Sequence, residues 1–329
     1  MSSAVHAQAE SQLRRLVARS AGRRLPGERE LAERLTIGRM PLRTLLARLE
    51  GEGLLHRRHG AGTWAVGGHA ARIVLAIDAA IRLSEDPFFA RLAEGLSRRL
   101  QEAGREVVQV AWTVGTAVPT GDGLIALGHA CGRLLMRLGK TDPPAVAWFC
   151  DGRGGPGSRI SRIQLDDVAA GRAAAAWLRA HGCRRVIAVG HQRFASPRDR
   201  LAGLRAGCRE MRLSLRILDG GMNLADGLAQ SARIPPTANL GVVGLNDWCA
   251  AGLAAGLRGR DVPVVGFDGL PVAAGLGVHS FAVPLEAIAT DLVEELDRLA
   301  GSPVAPGRIL TYALEAPSGS GDGATDTSR

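Results

Sequence analysis

The sequence predicts an α/β protein in two parts. A small helical N-terminal domain tipped by a β-hairpin precedes a larger domain of parallel sheets covered by helices. Three observations predict this. Apolar spacing between residues 25 and 64 is first helical and then strand-like, with arginines on the polar side. From Arg72 onward, short apolar runs alternate with amphipathic helical stretches. Charge is also uneven: residues 1–71 hold 12 Arg and 6 Glu, net +6 of the chain's +9. A basic excess gathered at one end is the electrostatic footprint of a nucleic-acid partner.

Residues 4–20 read as a first helix with Leu13, Leu16 and Val17 on its apolar face. In Glu28–Leu35, Leu31, Ala32 and Leu35 recur at helical spacing. In Arg39–Glu52 the apolar set is Leu42, Leu45, Leu46 and Leu49, spaced i, i+3, i+4, i+7, one buried stripe. Arg39 and Arg43 share a different face, one turn apart. Guanidinium forks at the leading end of a helix pair with guanine edges in a major groove. Gly53 ends the helix, Leu54–Arg58 reads as a strand, His59-Gly60-Ala61-Gly62 as its turn, and Thr63–Val66 as the return. A basic, glycine-tipped hairpin beside such a helix is a wing. The expected N-terminal unit is therefore a winged helix-turn-helix over residues 1–66, with 67–71 (GGHAA) as a flexible linker.

Residues 25–64 resemble the winged helix of the gluconate-repressor (GntR) family of bacterial transcription factors. The matching pieces are LP-ERELAERL, the R-x-x-x-R of the second helix, and LE-EGLL-RR-G-GT at the wing. The resemblance implies base or phosphate contact by Arg29, Arg39 and Arg43, and minor-groove contact by His59 and Gly60; Arg57 and Arg58 of the basic hairpin are expected to contact phosphate without reading sequence. The bland alternative is that these arginines form a solvated face. The sequence departs from the family at Gly38, where a Ser or Thr is usual, and at Met40 and Pro41, which replace a polar pair. Proline is tolerated in a first helical turn, but two phosphate contacts are lost.

In the second part, strands are expected at 72–77, 106–111, 123–127, 145–150, 162–165, 185–189, 240–245 and 262–266. Helices are expected at 87–103, 128–138, 168–181, 198–211, 246–257 and 284–299. Such alternation implies parallel sheets with right-handed crossovers. Residues 72–316 resemble the effector domain of lactose-repressor relatives, a two-lobe, periplasmic-binding-protein-like fold. The segments that carry the resemblance are 86–107 (DPFFARLAEGLSRRLQEAGREV), 121–127 (GDGLIAL), 164–190 (QLDDVAAGRAAAAWLRAHGCRRVIAVG), 196–207 (SPRDRLAGLRAG), 245–253 (LNDWCAAGL) and 262–273 (VPVVGFDGLPVA). A winged helix of one family on a body of the other resembles the architecture of arabinose repressors.

In that family two lobes clamp a small molecule. The resemblance implies effector contacts by Phe88 or Phe89 through stacking, and by Ser196, Arg200, Asn246 and Asp268 through hydrogen bonds, with Arg198 a weaker candidate. Asn246 and Asp268 also lie at the carboxyl ends of expected strands, where ligands of open α/β sheets bind. Each residue has a structural alternative. The phenylalanines fit a core, and Arg200 an ion pair with Asp199 or Glu210. Asn246 and Asp247 fit helix caps, and Asp268 a turn before Gly269. Trp248 would narrow the pocket or stack on a ring.

The second part departs from its family in three places. Only WTVGTAVPT (112–120) separates the second and third strands, where relatives carry a helix. The first lobe is therefore expected to leave an apolar sheet face exposed or covered by a partner. The stretch between Gly207 and Pro236 is compressed, and Ala282 and Val283 stand where a polar pair often precedes the proline.

Other chemistry fails on context. Gly152–Gly157 fits G-x-G-x-x-G, but Pro156 and the following stretch do not open a helix at the glycines, as pyrophosphate binding requires. Gly139-Lys140-Thr141 lacks the upstream glycine of a phosphate loop, where Leu134 stands. The eight histidines form no metal-ligand spacing, and the single lysine, Lys140, is in the wrong setting for a pyridoxal-phosphate site. No metal, cofactor or catalytic residue is expected, and no enzyme. The five cysteines are scattered and read as buried free thiols of a cytoplasmic protein. Neither a signal core nor an apolar run long enough for a membrane span is present. The tail from Pro317 reads as disordered.

The expectation is therefore a homodimeric transcription regulator, most simply a repressor. It would bind double-stranded operator DNA under control of a small sugar-like effector. The alternative is a DNA-binding regulator whose effector pocket is degenerate, governed by a protein partner or by its own concentration.

Overall fold

Leucines at helical spacing build the N-terminal domain. In the computed structural model, which describes residues 3–20, 24–58, 62–65, 71–139, 142–150, 158–302 and 304–317, α1 (Ser3–Arg19) lies against α2 (Glu28–Arg34) and α3 (Arg39–Gly51). Leu13 and Val17 of α1 meet Leu31, Leu42, Leu45, Leu46 and Leu49 in one buried cluster, closed by Leu55 and Ala65 of the hairpin. Arg14 ties α1 to the end of α3 through Glu52, 2.6 Å away. The hairpin is antiparallel, β1 (Leu55–Arg58) against β2 (Gly62–Ala65), with His56 opposite Trp64. The side chain of Arg58, the wing-tip residues His59 and Gly60, residues 66–70 of the linker region, Lys140, the run 151–157 and the tail beyond Pro317 lie outside the described residues.

The second part opens with β3 (Arg72–Asp78), α4 (Pro87–Glu102), β4 (Glu106–Trp112), β5 (Gly123–Leu127), α5 (Cys131–Leu135), β6 (Ala145–Trp148) and β7 (Ile160–Leu165). Asp86 caps α4 by accepting from the Phe88 and Phe89 N–H groups, and Pro87 starts the helix without needing a donor. The chain then crosses to a second lobe: α6 (Asp167–Ala180), β8 (Arg185–Val189), α7 (Ala195–Glu210), β9 (Ser214–Leu218), α8 (Leu224–Ser231), β10 (Leu240–Gly244), α9 (Asp247–Gly256), β11 (Val264–Asp268), α10 (Pro271–Gly275) and β12 (His279–Ala282). It returns through α11 (Leu285–Ala300) and β13 (Ile309–Tyr312), and β13 joins the first sheet beside β7.

The two sheets run β13-β7-β6-β5-β3-β4 and β12-β11-β10-β8-β9, and every pairing in them is parallel. Parallel strands must be covered on both faces, and they are. Leu75, Ile125 and Val146 pack under α4 and α11 on one face of the first sheet. Val74, Ala76, Leu124 and Ala126 fill the other.

That second face corrects the expectation of an exposed sheet. No helix joins β4 to β5, yet the face is not open. Trp112 turns inward, 1% exposed, its indole N–H donating to the Ala117 carbonyl at 3.3 Å. Together with Leu134 and Leu135 of α5 it covers the strands from within the chain. A large indole thus does the work of a missing helix.

Other boundaries moved for local reasons. The expected strand 145–150 stops at Trp148 because Phe149 takes a φ of +53° and turns the chain. The expected helix 128–138 contracts to α5, and its apolar face ends before Met136, which is 57% exposed. The compressed stretch between Gly207 and Pro236 still accommodates β9 and α8. Those two elements, with α10, β12 and β13, were not expected from spacing. No described helix is long and apolar enough to cross a membrane.

Candidate DNA-contact face and interlobe cleft

Burying four leucines on one side of α3 forces Arg39, Met40, Arg43 and Thr44 outward. The N-cap is Gly38, whose lack of a side chain leaves the helix start without a hydroxyl. Arg43 donates from Nε to Glu28 at 2.8 Å, so α2 holds it in place. Arg39 has no carboxylate partner among the described residues. Arg29 pairs with Glu33 at 3.1 Å on the exposed surface of α2. Arg57 pairs with Glu50 at 2.7 Å, an acid held below its ordinary range by the Arg57 backbone N–H and guanidinium. The structure thus brings Arg39 and Arg43 onto one face and places Arg57 on the adjacent hairpin.

The second candidate site lies between the lobes, at the carboxyl ends of both sheets. Arg200, on α7, is 3% exposed. Its Nε donates to Asp167 at 2.7 Å and its Nη1 to the Leu245 carbonyl at 2.8 Å. Nη1 also lies 3.1 Å from Asp268, and the guanidinium sits over the Phe267 ring. The pairs suggested by sequence, Asp199 and Glu210, belong to Arg198 and Arg172 instead. Burial alone would lower the Arg200 pKa, but Asp167 and Asp268 outweigh it and raise it.

Asp268 ends β11 with φ +124°, a conformation that L residues rarely adopt, and such strain clusters at ligand sites. Burial pushes its carboxyl up to about 7; Arg200 opposes the shift and Asp247 adds to it. Asp247 is itself raised by burial and is structural, accepting the Leu270 N–H at 2.6 Å. Asn246 caps α9 through the Cys249 N–H at 2.9 Å, leaving its amide N–H groups for another partner. The Ser196 hydroxyl is buried with no hydrogen-bond partner.

Phe88 belongs to the core, packed on Trp148 with centroids 5.8 Å apart, so it is corrected from ligand contact to packing. Phe89 is only half-buried and meets Phe149 at 5.5 Å. Arg198 is exposed and turned to its neighbour Asp199. Three residues of the cleft escaped the sequence reading. Trp148 and Phe149 stack at 4.6 Å at the end of β6. His129, beyond β5, stacks on Phe194 of the opposite lobe at 4.0 Å. Trp148, Phe149 and His129 share a signal of position, each lying within two residues of a strand's carboxyl end. Trp248, which the sequence did place at the pocket, packs from α9 against the first lobe's core with its indole N–H buried and unsatisfied. All five cysteines are buried thiols outside any disulfide, with burial pushing those of Cys131 and Cys249 up to about 12.

Comparison with known proteins finds matches in both parts of the chain. Residues 6–64 match the family described as "Bacterial regulatory proteins, gntR family", and residues 175–315 match "Periplasmic binding protein-like domain". The HTH-type transcriptional regulator CelR of Thermobifida fusca is 27% identical over 268 residues, covering 70% of this chain and 74% of CelR. A LacI family transcriptional regulator from Enterococcus faecium, solved with bound ribose, superposes with a TM-score of 0.63. It is 18% identical and covers 74% of this chain and 96% of its own. A CelR–cellobiose complex superposes at 0.61 and 20% identity, covering 88% of this chain and 98% of its own.

Proposed function

From a chain that joins a gntR-family DNA-binding domain to a periplasmic binding protein-like domain of the kind found in LacI-type regulators, we propose a repressor relieved by a small sugar-like effector. Residues 1–66 bind the operator through Arg39 and Arg43 in the major groove, with Arg29, Arg57, Arg58, His59 and Gly60 at the backbone and minor groove. Residues 72–316 bind the effector and dimerise, and 67–71 link the two. Two half-sites engaged at once multiply a modest single-domain affinity.

The observation that carries the effector reading is the cleft itself. In the second lobe Asp268 takes a strained φ, the Ser196 hydroxyl is buried without a hydrogen-bond partner and Asn246 uses only its amide oxygen in capping α9, while in the first lobe the Phe89 and Phe149 rings meet at 5.5 Å. Hydroxyl-rich ligands need hydrogen-bonding groups on their edges and an aromatic plate on their apolar face. Closure of the lobes on such a ligand would shift the lobe attached to Ala71 and change the spacing of the winged helices. The coupling is bounded by the ligand's differential affinity for the two states, typically ~1–3 kcal/mol.

One observation favours a second reading. Arg200 is already saturated by Asp167, Asp268 and the Leu245 carbonyl, as expected of a cleft that no longer takes sugar, in a regulator governed by a protein partner or concentration. Thermal melting of the full chain against a library of mono- and disaccharides separates the two. A ligand at 100 times its Kd adds about 2.7 kcal/mol. A rise in Tm with loss of duplex binding supports the sensor, whereas duplex binding indifferent to every sugar supports the second reading.

A further inference from the structure

The outward face of α3 carries two parallel rows, each spanning one turn. Arg39 and Arg43 form one; Met40 and Thr44, also at i and i+4, form the next. Met40 is 71% exposed, far more than any other large apolar side chain described in this domain. The domain's core cluster closes without it. Thr44 turns its hydroxyl to the helix itself, Oγ1 donating to the Met40 carbonyl at 3.2 Å. What Thr44 retains for a partner is its methyl group. Gly38 supplies no hydroxyl and Pro41 no N–H. The leading end of α3 therefore offers two charged forks beside an apolar strip.

A major groove holds one prominent apolar complement to such a strip. Base edges there are donors and acceptors except for the C5 methyl of thymine. Methionine, unbranched and flexible, adapts to it readily. Resting on the reading of α3 as the recognition helix, we propose that Met40, with the Thr44 methyl, is a specificity-determining contact for a thymine methyl. The half-site then places thymine beside the guanine read by Arg39 or Arg43. Sequence preference comes from groove contacts on this strip, and the hydroxyl contacts to phosphate that Gly38, Met40 and Pro41 cannot make are absent.

The test uses the full chain and a duplex it enriches from a random pool. Each thymine of that duplex is exchanged singly for deoxyuridine, which removes only the methyl. The expected result is a loss of about fourfold at one thymine per half-site, the transfer value of one buried methyl. Met40→Ala should bind the thymine and uracil duplexes equally, and Met40→Leu should keep the discrimination. The salt slope should not change in either variant, since no phosphate charge is involved. Met40 is outside the core, so both variants should melt like the parent. The contact is overturned if every uracil duplex binds like its parent, or if Met40→Ala still distinguishes them. A pool that yields no enriched duplex overturns the DNA-binding reading, and this contact with it.

Discussion

Arg200 Nη1 lies 3.1 Å from Asp268 Oδ1, and the arginine is buried. Asp167, equally buried, lies 2.7 Å from Nε on the other side. The residue expected to grip an effector is also the strut between α6, α7 and β11. Arg200→Ala should therefore destabilise the effector domain by about 3–5 kcal/mol, because it strands two buried carboxylates. Asp268→Asn preserves shape and should change stability far less while removing the sugar response. Denaturant melts of the two variants check this. An Arg200→Ala protein as stable as the parent would show that the pairs carry no weight.

The same carboxylate sets a pH dependence. Asp268 is raised by burial to about 7 from an ordinary value near 3.8, so the folded state holds a proton that the unfolded state has released. Its stabilising contribution is full below about 4 and is lost as pH climbs through about 7. His279 works the other way. Burial, aided by His181, lowers its pKa, so it loses stability as pH falls below its ordinary 6.5. The informative quantity is thus the difference between parent and Asp268→Asn. The parent's Tm should fall relative to the variant's as pH rises from 4 to 7. Parallel Tm curves would refute the assignment.

Much of this was legible in the chain. The stripe Leu42, Leu45, Leu46 and Leu49 named α3 and fixed which arginines face out, because helical periodicity determines both faces at once. The cleft was legible only in part. Asn246 and Asp268 follow apolar strands and could be placed at strand ends. The use of Arg200 could not, since its partner Asp167 is 33 positions away and adjacent to Asp166, an equally plausible acid that caps α6 instead. In the sequence Trp112 reads as the start of a loop, because nothing local says that an indole will fold back over a sheet. The four-residue strands β12 and β13 are too short to show a period, and pairing with β11 and β7 defines them.

On DNA, Arg39 and Arg43 should behave differently. Either change to Ala should cost about 1–3 kcal/mol of specific binding if the side chain reads a base edge. Arg43, however, is held by Glu28. Glu28→Gln releases that guanidinium and removes an acid facing the duplex, so it should strengthen binding to random duplex while narrowing the gap to the selected one. Arg57→Ala should weaken both duplexes alike and lower the salt slope by about one. Isotherms on both duplexes at several salt concentrations test all four changes. Unchanged affinity for the selected duplex in Arg39→Ala would remove α3 from the groove.

The stack of His129 on Phe194 predicts how the cleft is held. The rings are 4.0 Å apart and 7° from parallel. His129 follows β5 of the first sheet, whereas Phe194 precedes α7 of the second lobe, and His191 meets Phe194 edge-on at 5.3 Å. The contact is therefore made only when the lobes are close. Phe194 is 40% exposed, so removing it disturbs no core. An aromatic pair contributes about 0.5–1.5 kcal/mol beyond its buried area, so Phe194→Ala should shift the closed-to-open ratio by about two- to tenfold toward open. Small-angle scattering should report a larger radius of gyration for the variant, and amide exchange should quicken at Gly128–Ala130. Phe194→Tyr, which keeps the ring, should scatter like the parent. Identical scattering and exchange in Phe194→Ala would show that closure is held by the chain crossings between the lobes and not by this stack.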